Sequence, residues 1–308
     1  MITDARVLSD DFVPPAVQHR GAEVDQLTGA LEPAMGGETP ENVLMLGPSG
    51  AGKTCLAQYS LEELREQTLD VEHQYVNCWQ DYNRFSVLYR VLEGVGRTFD
   101  VHRQSTPKDE LLDRLRDYEG SPYVVILDEV DQLQDTGVLY DLYALPRVAM
   151  ILIANREEEL LAGIDDRVAS RLQGSRRVPF EQYRVHELAD ILEDRAEWGL
   201  HPDAVDRARL EQIADAAAGD ARVAINVLRS AAREAESRDS EVITEEIVEA
   251  AVPEAREDVR QKNAEQLTSD QQAIYEVVQE AGEISPGELY ERYEDRVDDP
   301  VTKRTVRN

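Results

Sequence analysis

Asn42-Val43-Leu44-Met45-Leu46-Gly47-Pro48-Ser49-Gly50-Ala51-Gly52-Lys53-Thr54 runs from an apolar, strand-like stretch into a glycine-rich loop. From Gly47 to Thr54 it meets every fixed position of the pattern G-x-x-x-x-G-K-[ST]. Beyond it, Leu56, Ala57, Leu61 and Leu64 recur at mostly helical spacing, so the order is strand, loop, helix. Glycines let successive backbone N–H groups turn inward, and the following helix adds its positive end, which makes the loop a cradle for phosphate. Lys53 would reach the outer phosphates as a mobile charge, and Thr54 would place its hydroxyl on the Mg²⁺ that bridges them. Cys55 is expected to pack in the core behind the loop.

Outward from this stretch, strand-like and helical runs alternate from about residue 40 to 180. His73–Cys78 reads as a strand, and Leu88, Val91, Leu92 and Val95 form one helical face. Thr106 is expected to cap a further helix, with Pro107 at its first position and Leu111, Leu112, Leu115 and Tyr118 as the buried stripe. Tyr123–Leu127 and Val148–Ile153 are near-continuous apolar runs, as in strands covered on both faces. These features predict an α/β fold with a parallel sheet. From about residue 184 the pattern is purely helical, which predicts a small helical domain. The charged stretch Val252 to Asn263, with Pro253, reads as a linker or as the end of a helix.

The chain has 308 residues, enough for two or three domains, with 63 Asp and Glu against 33 Lys and Arg and a formal net charge of −30. The acid is spread along the chain and coexists with full hydrophobic periodicity, which excludes simple disorder. Such a surface suits a high-salt proteome, where the Debye length shrinks to about 3 Å and self-repulsion is screened. Global charge then says little about partners, and local basic clusters keep their meaning. No run is long and apolar enough to span a bilayer and the N-terminus lacks a signal-peptide core, so a cytoplasmic location is expected. Cys55 and Cys78 are the only cysteines, which indicates neither a disulfide framework nor a zinc site.

Leu127-Asp128-Glu129 closes a buried strand. An Asp there in a phosphate-loop protein holds the metal, and the adjacent Glu polarises the attacking water, which assigns Asp128 to Mg²⁺ and Glu129 to the general base. Asp131 is expected to be solvated or structural. Asn155 ends the next strand and either positions the lytic water or is a turn residue. Arg167 and Arg171 either supply a finger to the nucleotide of an adjacent subunit or form a structural i, i+4 pair. Arg222, in Gly219-Asp220-Ala221-Arg222, either folds back onto the phosphates or sits on the surface at a helix start.

With these motifs in this order, the chain resembles an AAA+ ATPase. More narrowly it is similar to the archaeal replication initiators related to the eukaryotic origin-recognition complex and the cell-division-control loader. The likeness runs through nearly the whole chain: Leu8-Ser9, Val13-Pro14 and His19-Arg20, Asn77-Cys78, Val125 to Asp131, Arg167 to Arg171, Phe180 and Tyr183, Glu187-Leu188, Ile191-Leu192, Arg195, and Gly219 to Arg222. The resemblance implies a sheet of order 5-1-4-3-2 in residues 1–182, a helical lid in 183–260 and a winged helix in 261–308. It makes Asn155 the first sensor, Arg222 the second, and Arg171 or Arg167 the finger. The stretch Val13 to Arg20 would line the adenine end, with Val13, Pro14, His19 and Arg20 named as cofactor-binding, and Cys55, Tyr183 and Arg195 join that set.

The implied activity is slow ATP hydrolysis by a replication initiator whose partners are double-stranded origin DNA, other initiator subunits and the replicative helicase. Family members also contact DNA through an insertion, here between Asn77 and Arg103, where no basic cluster stands. From Glu265 only 44 residues remain, resembling two helices of the winged helix and the start of a recognition helix near Thr302, with Lys303, Arg304 and Arg307 at its tip. That shortening leaves a rival expectation, an ATP-gated regulatory or scaffold paralogue that assembles with full-length initiators without reading DNA itself.

Overall fold

In a computed structural model, the described residues are 1–68, 70–102, 106–265, 269–282, 284–297, 300 and 302–303. The elements follow in the order α1 (Gly21–Leu31), β1 (Val43–Leu46), α2 (Lys53–Gln67), β2 (Glu72–Asn77), α3 (Arg84–Gly94), α4 (Lys108–Arg116), β3 (Tyr123–Asp128), α5 (Gly137–Tyr143), β4 (Val148–Ala154), α6 (Glu157–Gly163), α7 (Asp166–Leu172), β5 (Arg176–Pro179), α8 (Val185–Gly199), α9 (Arg207–Ala217), α10 (Ala221–Ser237), α11 (Glu245–Glu265), α12 (Ser269–Ala281) and α13 (Pro286–Glu294). The chain divides into two compact units, Met1–Glu254 and Ala255–Asn308.

The first unit is built on five parallel strands in the order β2-β3-β4-β1-β5, the expected 5-1-4-3-2 sheet counted from its other edge. Alternation along the strands sorts the apolar side chains to two faces. Leu44, Val125, Leu127, Met150 and Leu152 join one core with residues of α3, α4 and α5. Val43, Met45, Val124, Ile126, Ile151 and Ile153 join a second core with residues of α1 and α2. β3 and β4 are buried at every position, which explains their near-continuous apolar runs. Because β4 lies between β1 and β3, the carboxyl ends of the three strands gather at one edge, where ligands of open α/β sheets bind.

α4 starts one residue later than its sequence suggests. Pro107 occupies the N-cap with ψ 145°, outside helical geometry, and its carbonyl accepts the first bond from Glu110 N–H at 3.1 Å. The Thr106 hydroxyl accepts from the His102 N–H instead. α8, α9 and α10 form the helical part. Their starts at α9 and α10 are fixed by Asp206, which accepts from Arg209 N–H, and by Asp220, which accepts from Arg222 and Val223 N–H. The stretch from Val252 to Asn263 is helical and belongs to α11, with Pro253 inside the helix. Among the described residues, no helix is long and apolar enough to cross a membrane.

In the second unit, Ser285 caps α13 by accepting from Glu288 N–H. Tyr293 on α13 is fully buried and donates its hydroxyl to Asp270 Oδ1 on α12 at 2.5 Å. Lys303 lies over the Tyr290 ring, 5.5 Å from its centroid. Arg304 and Arg307, expected in a recognition helix, lie outside the described residues, as does Arg103.

Candidate functional site

The loop after β1 is held open by two glycines with left-handed backbone, Gly50 at φ 71° and Gly52 at φ 90°. A β-carbon on Gly52 would lie 2.6 Å from the Tyr183 hydroxyl, and one on Gly50 would fall inside the Asp220 carboxylate. α2 begins at Lys53, so its N-terminal amides and dipole face the loop. Lys53 is 8% exposed, and its ammonium donates to Gly47 O at 2.5 Å, Pro48 O at 2.8 Å and Asn155 Oδ1 at 3.3 Å. Burial holds its pKa below the ordinary lysine value, partly offset by the Glu129 and Asp128 carboxylates.

Asp128 ends β3 and is 5% exposed. Its Oδ2 accepts from Thr54 Oγ1 at 2.7 Å and from Tyr75 Oη at 2.9 Å, and its Oδ1 accepts from Glu129 N–H at 2.9 Å. Glu129 takes a left-handed φ of 53° just past the strand end. Burial, then the charges of Asp128 and Asp131, push its carboxyl above the usual range. Asp131 is turned inward, with Oδ1 buried without a hydrogen-bond partner among the described residues. Burial and the Asp128 charge also raise the Tyr75 phenol, which keeps its proton and donates it.

From the helical part, Ala221 N–H at the start of α10 donates to Gly50 O at 3.0 Å. Arg222 extends to the Ser49 hydroxyl and donates to it. The other end of the pocket is closed by the N-terminal segment lying on α8. Arg195, 5% exposed, donates to Val7 O at 2.6 Å, Ser9 O at 3.3 Å and Phe12 O at 3.0 Å. Gln18 donates to Asp194 at 2.9 Å, and His19 pairs with Asp190 at 2.7 Å.

One pocket therefore collects Ser49 to Cys55, Asp128, Glu129, Pro14, Tyr183, Arg195 and Arg222. Cys55 lines it while only partly buried, a correction to its expected place in the core: it follows Thr54 on the first turn of α2. Gly47, Pro48 and Asn155 stand just outside the lining and touch it through Lys53.

Of the stretch Val13 to Arg20, Pro14, Ala16, Val17 and Gln18 line the pocket, while Val13, His19 and Arg20 stand outside the lining. Arg20 instead buttresses the loop. It donates to Ala51 O at 3.2 Å and Glu181 O at 2.6 Å, and its guanidinium lies 4.0 Å from the Tyr183 ring centroid.

Arg167 and Arg171 lie apart from the pocket on α7. Arg167 pairs with Asp165 at 3.3 Å, and Arg171 rests over the Tyr140 ring at 4.5 Å.

The sequence reading missed Tyr75, Asp10, Asp194 and Trp198. The signal for the last two was present: Ile191, Asp194, Arg195 and Trp198 stand at i, i+3, i+4 and i+7 of α8, and all four face the pocket. Ile191, one of the residues that carry the resemblance, belongs to that stripe.

The donor set fits a nucleoside triphosphate with a hard divalent cation. Thr54 and Asp128 offer two oxygens at one place, which would suit Mg²⁺, a cation that usually takes one or two protein oxygens beside phosphate and water. Among the described residues, no group of three or more His, Cys, Asp or Glu could hold a metal ion by itself.

Residues 16–153 match the AAA ATPase domain, and residues 189–253 match the Cdc6 AAA+ ATPase-type lid domain. The chain is 50% identical over 308 residues to the ORC1-type DNA replication protein 1 of Halobacterium salinarum, covering 100% of both chains. It is similar to the Aeropyrum pernix ORC1 protein solved in complex with DNA, with a TM-score of 0.80 and 31% identity over 99% of this chain and 85% of that one. It is also similar to the Aeropyrum pernix ORC2 protein in ADPNP-ADP complexes, with a TM-score of 0.73 and 25% identity over 96% and 83% of the two chains.

Proposed function

This chain belongs to the ORC1-type DNA replication proteins, AAA+ ATPases with a Cdc6-type lid, and on that premise we propose that it is an ATP-switched replication initiator acting in the cytoplasm. It binds ATP with Mg²⁺ in the pocket, hydrolyses it slowly, binds double-stranded origin DNA and, with other initiator subunits, helps recruit or load the replicative helicase. Residues 1–182 act as the ATPase, 183–260 as the lid and 261–308 as the DNA-reading part.

One observation carries this reading: Arg222, at the first turn of lid helix α10, reaches Ser49 of the phosphate loop. A nucleotide can shift a two-state equilibrium only through contacts that differ between the states. Arg222 is placed to supply such a contact, because a phosphate in the loop competes with Ser49 for its guanidinium.

The chain's own groups divide the work. Lys53 exchanges the Gly47 and Pro48 carbonyls for the outer phosphate oxygens. Glu129 takes a proton from the attacking water, and Asn155, held at Lys53, orients that water. Arg171 or Arg167 leaves its local partner to serve a neighbouring subunit's site. When bound between Thr54 and Asp128, Mg²⁺ supplies charge neutralisation at the phosphates.

The test is a footprint of the full chain in high salt on chromosomal origin fragments, with ATP and with ADP. Protection that differs between the two nucleotides is expected. Intact ATP binding without a footprint in either state would replace the initiator with the regulatory paralogue. Absence of ATP binding would remove the switch.

A further inference from the structure

Tyr75 belongs to β2, an edge strand, and it is paired in register with Ile126 of β3, not with Asp128, which is paired with Asn77. Residues two apart on a strand share a face, so Tyr75, Ile126 and Asp128 lie on the same side of the sheet. The Tyr75 ring packs against the apolar cluster that contains Ile126 and Leu61, and its hydroxyl emerges beside the carboxylate of Asp128. Ring and hydroxyl thus do different things: the ring fills the cluster, and the hydroxyl donates to Asp128 with the Asn77 side chain as a second polar neighbour.

The Asp128 carboxylate is crowded by design of the strand end. Asp128 Oδ1 is tied to the Glu129 N–H, and Oδ2 carries both Thr54 and Tyr75. The terminal torsion of an aspartate is broad, and two donors alone leave it room to swing. Thr54 is also the wrong group to restrain it, since its hydroxyl oxygen is needed for the cation. Among the described residues, the Tyr75 hydroxyl is the one donor on the Asp128 carboxylate that comes from neither the phosphate loop nor the backbone beside it.

We propose that Tyr75 is a positioning residue for the divalent cation: its hydroxyl fixes the plane of the Asp128 carboxylate so that Oδ2 stays turned to Thr54. This rests on reading the pocket as a Mg²⁺–nucleotide site. Partners outside the ligand shell that orient a metal-binding side chain typically govern about 10- to 100-fold in metal affinity. Because Tyr75 is one of three donors on Asp128, the lower end of that range is expected.

Tyr75→Phe keeps the ring and deletes only the hydroxyl. The measurement is binding of a fluorescent mant-ADP to the full chain in high KCl, first in EDTA and then across a MgCl₂ titration, together with thermal unfolding. Tyr75→Phe should raise the MgCl₂ concentration at half-effect by about 10-fold, while mant-ADP affinity in EDTA stays at the wild-type value and the unfolding midpoint falls by no more than the loss of one hydrogen bond explains.

In an Asp128→Asn background, the same change should have no further effect on the MgCl₂ dependence. An unchanged MgCl₂ midpoint in Tyr75→Phe overturns the proposal. So does an equal loss of mant-ADP affinity in EDTA, which would make Tyr75 a structural support of the pocket. A wild-type protein that binds no mant-ADP in any condition would fail differently, removing the nucleotide site and this role with it.

Discussion

Gly50→Ala would strike the contact between the phosphate loop and the lid. Gly50 sits at φ 71°, which costs an alanine about 1–2 kcal/mol. Its new methyl would also collide with the Asp220 carboxylate, and the way out is to move Asp220. Asp220 caps α10 by accepting from Arg222 N–H at 2.8 Å and Val223 N–H at 3.2 Å, so displacing it forfeits a cap worth about 1 kcal/mol. The total is about 2–3 kcal/mol, or roughly 5–10 °C in the unfolding midpoint of a unit of this size.

Because Arg222 is carried on the same turn, nucleotide affinity should fall as well. Trp198 in the pocket wall provides a fluorescence readout beside calorimetry. A double-mutant cycle isolates the mechanism. Glycine at an N-cap costs only a few tenths of a kcal/mol, so adding Asp220→Gly to Gly50→Ala should recover about 1 kcal/mol instead of adding to the loss. A Gly50→Ala protein with wild-type midpoint and ADP affinity, or a strictly additive cycle, would refute the reasoning.

Glu129→Gln should keep ATP affinity and abolish turnover, measured by phosphate release. Burial holds the Glu129 carboxyl above the ordinary glutamate value, so wild-type hydrolysis should fall away on acidification through a pH above the ordinary glutamate range. The stability sign is opposite to that of a paired carboxylate. Wild type loses stability as pH rises between the ordinary and the raised value, so Glu129→Gln should gain relative stability above that window and none below it. Arg195→Ala would strip the donor from the carbonyls of Val7, Ser9 and Phe12. A cost of about 1–3 kcal/mol, faster proteolysis of the N-terminal segment and weaker ADP binding are expected; wild-type proteolysis rates would contradict the brace.

Several site residues were legible because their signals are local. Lys53 and Thr54 are set by a loop pattern whose glycines admit one backbone course, and Asp128 by its position after a buried apolar run. Asp220 and Arg222 were visible as a helix start, but nothing in their spacing says that the start lies on the phosphate loop. Arg20 was expected at the adenine end and proves to be a buttress on Ala51 and Tyr183, since sequence neighbourhood does not tell which way a long side chain turns. Arg171 rests on Tyr140, a residue 31 positions away that no spacing rule links to it.

The amino-acid sequence by itself determined the elements, the parallel α/β class and the phosphate cradle, because the periods of strand and helix and the freedom of glycine act over a few residues. Tertiary structure alone decided which distant polar groups meet. β2 lies beside β3, and this brings the Tyr75 hydroxyl to Asp128 across 53 residues. The N-terminal segment lies on α8, and this gives Arg195 its carbonyls from up to 188 residues away. Such meetings depend on how buried faces pack and on where buried donors find acceptors, and neither is written at any one position of the chain.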